Sequence, residues 1–160
     1  MNKVLPKLGK FFTTFVLCQS VGIIGAGFTA PMIDSWYNLL NKPWFTPPSW
    51  LFGPVWTLLY FLMGVSLYII WTEVKPSKKR TQAMKLFFAQ LGANLLWSLM
   101  FFGLQSPLLG FITIVAMWVL IALTKHAFMK LNKLAGWLLL PYLLWVSFAT
   151  VLNTAILALN

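Results

Sequence analysis

The chain has 160 residues, of which 60% are hydrophobic and 9% are charged, and its formal net charge is +10. About a quarter of the residues in a typical soluble domain are charged, so this composition excludes a soluble globular domain. Strongly basic chains often bind nucleic acid through side chains that contact phosphates. Here the basic residues fall in short segments between apolar runs, which argues against a nucleic-acid partner.

Five apolar runs follow one another along the chain. Each is about the 20 residues that a helix needs to cross a hydrocarbon core about 30 Å thick. They cover residues 11–30, 53–71, 82–104, 107–124 and 134–159. None alternates polar and apolar residues as a membrane strand would. The sequence therefore predicts an all-α membrane protein, a bundle of five transmembrane helices that forms a single domain over residues 1–160.

The first run carries an amide and three small residues on its second half. These are Gln19, Gly22, Gly25 and Ala26. Small residues let the backbones of membrane helices approach closely. We therefore expect a neighbouring helix to pack against this part of the first span.

The 31–52 segment is the one long loop, and its composition predicts a stiff lid. Asp34 is a plausible N-cap for a short surface helix over residues 34–41, which Pro43 would end. Trp36, Trp44 and Trp50 are expected to anchor the loop at the membrane interface. The paired Pro47 and Pro48 hold the following segment extended, and a helix restarts at residue 53 with Pro54 in its first turn.

Three of the runs carry aromatic or amide side chains on one helical face. On the third run Gln90, Asn94, Trp97 and Phe101 share a face. On the second run the face holds Trp56, Tyr60, Met63 and Gly64, and on the fifth it holds Trp145, Ala149, Leu152 and Asn153. Because an unpaired amide is costly in hydrocarbon, these faces should point into the bundle.

Two interpretations of these faces remain open. The amides tie helices together and the aromatics pack, or the faces line a pocket for a flat, apolar ligand with a few polar atoms. Packing in membranes favours leucine and small residues, whereas tryptophan is normally left at the interface. Tryptophans on inward faces therefore favour the pocket.

Prolines mark two further points in the second half of the chain. Pro107 fits the first turn of the fourth helix, after a minimal connection at Gln105 and Ser106. Pro141 lies inside the fifth apolar run, where it removes a backbone hydrogen bond and should kink the helix.

The basic residues lie almost entirely on one side of the predicted bundle. They are Lys3, Lys7 and Lys10, then Lys75, Lys78, Lys79, Arg80 and Lys85, then Lys125, Lys130 and Lys133. The other side holds only Lys42. The positive-inside rule then places the N-terminus in the cytoplasm and the 31–52 loop outside. The charge bias suggests a bacterial plasma membrane, and the outer membrane of bacteria or mitochondria is the alternative.

The sequence offers no conventional catalytic or metal-binding group. Asp34 and Glu73 are the only acids and lie on opposite sides, His126 sits at a boundary beside a lysine, and Cys18 is the single cysteine. The sequence therefore lacks a pair of carboxylates for general acid–base catalysis. We expect no metal site and no tightly bound cofactor.

Several short motifs at separated points carry a family resemblance. They are Trp36-Tyr37, Lys42-Pro43, Thr46-Pro47-Pro48, Phe52–Thr57 with Tyr60, Gln90 with Asn94 and Trp97, Phe101-Phe102-Gly103, Pro141-Tyr142-Leu143 with Trp145, and Phe148–Thr150 with Leu152-Asn153. Together they span the chain and resemble the TspO/MBR family of tryptophan-rich sensory or translocator proteins.

The resemblance implies a five-helix fold, often a homodimer, in which the loop after the first span closes over a pocket. It implies binding of porphyrins such as protoporphyrin IX and of synthetic benzodiazepine-type ligands. Light- and oxygen-dependent breakdown of protoporphyrin in some bacterial members depends on pocket tryptophans that match Trp56 and Trp145. The ligand contacts implied by the resemblance are Tyr37, Pro47, Trp56, Tyr60, Gln90, Asn94, Trp97, Phe101, Trp145 and Ala149.

The expected function is that of a tetrapyrrole-binding protein embedded in membrane lipid, for sensing, sequestration or photo-oxidative removal of porphyrin. One alternative is a translocator of porphyrin, sterol or another lipid-like molecule, although the spans hold no midplane acid or histidine for ion coupling. A second alternative is a structural membrane protein that binds a partner protein. For that role, polar side chains that only hold the helices together would be sufficient.

Overall fold

The structure, a computed structural model, describes residues 4–160 and the side chains of residues 7–160. The helices are α1 (Val4–Ser35), α2 (Ser49–Glu73), α3 (Lys78–Ser98), α4 (Pro107–Leu131), α5 (Lys133–Leu138) and α6 (Leu140–Leu159). Five helical stretches are long and apolar enough to cross a membrane, the fifth being α5 and α6 together. The predicted all-α bundle of five spans is confirmed.

Helix α1 is longer than the first apolar run, because it passes through Pro31 and ends at Ser35. A proline removes one backbone donor, and a membrane helix tolerates this where the freed carbonyl finds another partner. Beyond the proline, the Trp36 N–H still donates to the Met32 carbonyl oxygen at 3.1 Å. The first part of the predicted 31–52 loop is therefore helical.

The predicted surface helix over residues 34–41 is wrong, as is the N-cap role of Asp34. A single 3₁₀ turn forms at Tyr37–Leu39. Asp34 lies in the last turn of α1, where its carboxylate accepts a hydrogen bond from the Asn38 side chain at 3.3 Å. Leu39 in this turn is exposed. Helix α1 takes up Asp34 and Ser35, the first two residues of the predicted surface helix.

Helix α2 begins at Ser49, before its predicted start at residue 53. Pro48 precedes it with an extended backbone, φ −57° and ψ 140°. Pro54 consequently lies in the second turn of α2 rather than the first, where it deprives the Trp50 carbonyl of its intrahelical donor. Because Trp50 is exposed, its carbonyl group lies at an accessible part of the helix.

The end of α3 widens into a π turn at Leu99–Gly103. The Leu104 N–H donates to the Leu99 carbonyl oxygen at 2.8 Å, one residue further than in an α-helix. The extra residue turns two consecutive side chains inward, since Phe101 is 2% exposed and Phe102 is 8% exposed. In a regular α-helix, the side chains of two consecutive residues point about 100° apart around the helix axis.

The two prolines in the second half of the chain, Pro107 and Pro141, behave largely as the sequence predicts. Ser106 caps α4 by accepting a hydrogen bond from the Leu109 N–H at 3.2 Å, and Pro107 is the first residue of that helix. The predicted kink at Pro141 is a complete break, because α5 ends and α6 begins on either side of Leu139. Pro141 then occupies the first turn of α6, where its missing N–H leaves no intrahelical bond unmade.

The lysine-rich connections meet at one end of the bundle, which we call the basic end. There the Lys10 ammonium lies 5.3 Å from the centre of the Trp71 ring, and Lys125 lies 5.2 Å from that of Trp137. Lys42 lies at the opposite end, which we call the loop end. Lys3 of the predicted basic cluster falls outside the described residues.

Side chains near the basic end are closely packed. The Phe87 and Phe128 rings stack with centroids 5.7 Å apart and planes at 4°, and both are fully buried. The Ser66 hydroxyl donates to the Ala135 carbonyl oxygen at 2.7 Å, which ties α2 to α5. A methyl group added at Gly136 would lie 2.4 Å from the Met129 side chain, so α4 and α5 approach closely here.

Candidate ligand-binding site

A cavity of about 440 Å³ lies at the loop end, between α1, α2 and the second half of α3. We call it the main cavity. Its lining includes five residues that the sequence assigned to a ligand site: Tyr37, Trp56, Tyr60, Asn94 and Trp97. None of its lining residues is acidic or basic. Contacts to a bound molecule are therefore apolar contacts and neutral hydrogen bonds.

Three aromatic rings form one wall of the main cavity. Trp56 and Tyr60 lie one turn apart on α2, with ring centroids 5.6 Å apart. Trp97 of α3 lies 6.3 Å from Trp56, and the two rings are inclined by 32°. The nearly parallel tryptophans present a broad apolar surface that suits a flat molecule.

A chain of hydrogen bonds crosses the bundle at this wall. The Tyr60 hydroxyl donates to the Asn94 side-chain oxygen, and the Asn94 amide nitrogen donates to the Tyr142 hydroxyl at 2.9 Å. These bonds join α2, α3 and α6 and satisfy a buried amide. Asn94 therefore ties helices together and also lines the cavity, so the two interpretations of its face are compatible.

The small residues of α1 shape the opposite wall. A methyl group at Gly22 would lie 2.5 Å from the Tyr60 ring, and one at Gly25 would lie 3.1 Å from the Ser98 hydroxyl oxygen. Glycine at these positions lets the α1 backbone serve as a wall. Nearby, the Gln19 amide donates to the Thr57 carbonyl oxygen at 3.1 Å.

Tyr37 covers the main cavity from the loop. Its ring packs against Phe101 and Phe102, at centroid distances of 6.3 Å and 5.7 Å. The Lys42 ammonium lies 4.7 Å from the Tyr37 ring centre and donates to the Tyr37 carbonyl oxygen at 2.9 Å. Burial raises the pKa of the Tyr37 phenol to about 12, so it stays a neutral donor at physiological pH.

The rest of the loop is attached to α6. The Asn160 side chain accepts from the Asn41 N–H and donates to the Asn41 carbonyl oxygen, both at 3.0 Å. The Asn41 side chain donates to the Leu159 carbonyl oxygen at 3.3 Å. Phe45 packs against Phe148 at 6.4 Å. These contacts hold the loop across the end of the bundle.

The main cavity is open between α1 and α2. Its lining residues Ile23 and Trp50 are 71% and 72% exposed. Both lie on helices whose outer surfaces contact lipid in a membrane. The loop was expected to form the opening, whereas these exposed residues place an opening on the side of the bundle.

A second, smaller cavity of about 30 Å³ lies toward α6. We call it the side cavity. Its lining includes Phe101 and Ala149, two further residues assigned from the sequence, together with Leu152 and Asn153. The volume exceeds the roughly 10–15 Å³ that a cavity needs to hold one water, so the side cavity accommodates a small substituent.

Three of the assigned residues line neither cavity. Gln90 is buried one turn below Asn94, and its amide nitrogen and oxygen have no hydrogen-bond partner in the part of the chain that the structure describes. Trp145 packs against Phe52 at a ring distance of 6.0 Å, and its buried indole N–H has no acceptor among the same residues. Pro47 is half-buried in the loop.

The sequence did not single out several residues that shape the site. Phe52 lines both cavities, Phe102 and Ser98 line the main cavity, and Tyr142 holds Asn94. Phe52 and Phe102 belong to motifs used for the resemblance, yet helical spacing gave no reason to turn them inward. An earlier start for α2 and the π turn of α3 place them there.

Among residues 4–160, no group of three or more histidine, cysteine, aspartate or glutamate side chains is arranged to hold a metal ion. The single described cysteine, Cys18, is buried on α1 and unpaired. The chemistry available in the main cavity is therefore that of indole, phenol, hydroxyl and amide groups.

A bundle of five membrane spans with an aromatic, uncharged cavity between α1, α2 and α3 defines an integral membrane protein suited to hold a small apolar molecule. The sequence profile of the TspO/MBR family matches residues 14–159. The chain belongs to the TspO/MBR family.

Curated relatives cover nearly the whole chain. It is 47% identical to the "Tryptophan-rich protein TspO" of Archaeoglobus fulgidus, covering 94% of this chain and 97% of that protein. It is 38% identical to the "Tryptophan-rich sensory protein" of Cereibacter sphaeroides (94% and 90%) and 35% identical to the human "Translocator protein" (87% and 83%). The resemblance read from the motifs is confirmed.

Proposed function

We propose that the chain binds a flat, largely apolar molecule of the porphyrin type in the main cavity, for sensing, sequestration or photo-oxidative removal. The observation that carries this proposal is the wall of Trp56, Tyr60 and Trp97 beside a cavity of about 440 Å³. Small-molecule sites typically enclose about 300–1,000 Å³. The porphyrin class itself follows from the family resemblance.

The polar groups of the site would orient such a ligand at its edges. Asn94 and Tyr60 are held in place by their mutual hydrogen bond, so they present fixed partners to a ligand. The Tyr37 phenol lies above them as a neutral donor. The opening between α1 and α2 lets a ligand dissolved in the bilayer enter without crossing the loop.

Photochemical breakdown of a bound porphyrin is a further part of the proposal. Trp56 lines the main cavity and is the nearer candidate for electron transfer to a photoexcited ligand. Trp145 is separated from that cavity by Phe52. Illumination of the complex with and without oxygen, followed by absorbance of the porphyrin, tests for turnover. Bleaching that is equal in Trp56→Phe would remove Trp56 from this role.

Titration of the detergent-purified protein with protoporphyrin IX tests binding directly. Quenching of tryptophan fluorescence reports the complex, and the dissociation constant is compared for Trp56→Phe and for Trp137→Phe. Trp137 is the matched control, since it is exposed at the basic end. We expect weaker binding for Trp56→Phe only. Equal affinity in all three proteins, and in Trp56→Phe combined with Trp145→Phe, would contradict the cavity assignment.

A second candidate, translocation of a lipid-like molecule, is favoured by the lateral opening and by the name of the human relative. Flux of a porphyrin down its gradient in protein-containing liposomes separates transport from binding. Retention of the gradient by a protein that still binds porphyrin would exclude transport.

We also propose the orientation and assembly implied by charge and family. The basic end faces the cytoplasm of a bacterial plasma membrane, which places the loop end outside, and two copies form a homodimer. Protease access to either end in sealed vesicles tests the orientation, and the mass of the detergent-solubilised particle tests the dimer.

A further inference from the structure

Three side chains line both the main cavity and the side cavity: Tyr37, Phe52 and Trp97. These three side chains form a partition between the main cavity and the side cavity. A ligand that fills the main cavity contacts this partition on the side toward α6. The ligand can extend into the side cavity only if one of the three side chains moves.

Tyr37 and Trp97 are firmly held. They are 5% and 8% exposed. The Tyr37 ring packs on Phe101 and Phe102 beneath the Lys42 ammonium. Trp97 stacks on Phe101 at 5.7 Å, and its indole N–H lies 3.4 Å from the Asn153 side-chain oxygen.

Phe52 is held less tightly than its two neighbours. It is only half-buried, has no polar group to anchor it, and lies in the first turn of α2. Its aromatic neighbour is Trp145, at a ring distance of 6.0 Å and an interplanar angle of 68°. The loop residues Pro47 and Pro48 lead directly into this turn, so movement of the loop is transmitted to Phe52.

The group behind Phe52 is an indole N–H without a partner. The Trp145 nitrogen is buried and donates to no protein atom. A buried donor left unpaired is destabilising, and such groups usually find a partner in the functional state. A ligand atom reaching past Phe52 would meet this donor.

We propose that the Phe52 side chain is a movable partition, and that a ligand displaces it to join the two cavities and reach Trp145. The ligand class this favours is a flat apolar molecule with one edge that accepts a hydrogen bond and a small apolar substituent. The edge pairs with the Trp145 indole N–H, and the substituent enters the side cavity beside Ala149. The ligand part rests on the proposed function, whereas the movement of Phe52 does not.

The test of the partition uses the ligand-free protein. Fluorescence quenching by trichloroethanol, a small apolar quencher, is measured for the wild-type chain, Phe52→Ala, Trp145→Phe and the double variant. Subtracting each Trp145→Phe protein from its parent isolates the signal of Trp145. The control is Phe61→Ala with the same subtraction, because Phe61 lies on the same helix and is exposed beside Phe15.

We expect quenching of Trp145 to rise about twofold or more in Phe52→Ala, because the variant lacks the ring that packs against Trp145. Phe61→Ala should leave it unchanged. Folding of Phe52→Ala is checked by its helical circular dichroism. If this variant does not fold, Phe52→Leu, which keeps most of the apolar volume, replaces it in the quenching test. Unchanged Trp145 quenching in a folded Phe52 variant would overturn the proposal.

A second measurement connects the partition to the ligand. The association rate of protoporphyrin IX should rise about threefold or more in Phe52→Ala, since the state with the two cavities joined no longer has to be populated first. An unchanged rate would overturn the claim that the ligand displaces Phe52. Absence of porphyrin binding to the wild-type chain, together with increased Trp145 quenching, would contradict the proposed function and leave the role of Phe52 as a partition in front of Trp145 established.

Discussion

The two halves of the bundle differ in how their side chains fill space. Near the basic end, Phe87 stacks flat on the fully buried Phe128, and Gly136 allows close approach of the Met129 side chain. Near the loop end, aromatic and amide side chains surround a cavity of about 440 Å³. The comparison teaches that direct apolar packing fills the basic half, whereas inward-facing tryptophan, tyrosine and asparagine side chains line the space that stays open in the loop half.

The largest expected effect comes from the packed half. Phe87→Ala should lower the free energy of unfolding by about 3–5 kcal/mol, because it leaves a cavity against Phe128. Phe88→Ala is the matched control, since Phe88 is the next residue and is 45% exposed. Thermal denaturation in detergent measures both. A comparable loss for the two variants would contradict the division into a packed and an open half.

The two amides of α3 provide the next test, because they should respond in opposite directions. Asn94→Leu leaves the Tyr60 and Tyr142 hydroxyls without their partner, which should cost about 1–3 kcal/mol of stability. Gln90→Leu removes an amide with no protein partner and should leave stability unchanged or raise it by about 1 kcal/mol. Denaturation of both variants decides this. Destabilisation by Gln90→Leu would mean that its amide is paired in the folded protein.

The loop should act on rates more than on stability. Replacing Pro47 and Pro48 with alanine should speed release of bound protoporphyrin IX by about two- to fivefold, because a more flexible loop closes less effectively. Asn160→Ala should act in the same direction, because it removes two hydrogen bonds to Asn41. Stopped-flow dissociation measures each, and unaltered rates would rule out a role of the loop as a lid.

The smallest expected effect is a pH dependence at Tyr37. Burial raises the folded-state pKa of its phenol to about 12 from the ordinary value of 10.0. The unfolded chain therefore loses this proton first, so the stability contribution of Tyr37 is present below pH 10 and falls as the pH rises further. Tyr37→Phe should flatten this decline relative to the wild-type chain in denaturation series above pH 10. Identical slopes would show that Tyr37 is not buried in solution.

Much of the fold was predictable because span length and hydropathy are local properties. The five runs, Pro107 in the first turn of the fourth helix and a disruption at Pro141 all follow from neighbouring residues. The errors lie at the loop end, where α1 continues through Pro31 beyond the predicted end of the first span at residue 30, and α2 begins before its predicted start. Proline ends a helix only where the freed carbonyl lacks another partner, and that depends on the surroundings.

The site was predictable in part for a similar reason. Helical spacing placed Trp56 with Tyr60 and Asn94 with Trp97, since these pairs share a face of a regular helix. The family resemblance treated Trp56 and Trp145 alike, whereas Trp145 lies outside the lining of the main cavity and packs against Phe52. That separation depends on contacts between α2 and α6, which no pattern within one helix encodes.

The most direct test of the account compares two glycines of α1. A side chain at Gly22 would lie against the Tyr60 ring in the main cavity, whereas Gly27 has nothing within 4 Å of an added methyl group. For folded Gly22→Leu, the dissociation constant of protoporphyrin IX should rise about tenfold or more, because the leucine side chain occupies space that the ligand needs. A loss of about 1.4 kcal/mol of binding free energy already gives a factor of ten. Gly27→Leu should bind like the wild-type chain. Equal affinity in the two variants would show that the ligand does not occupy the main cavity.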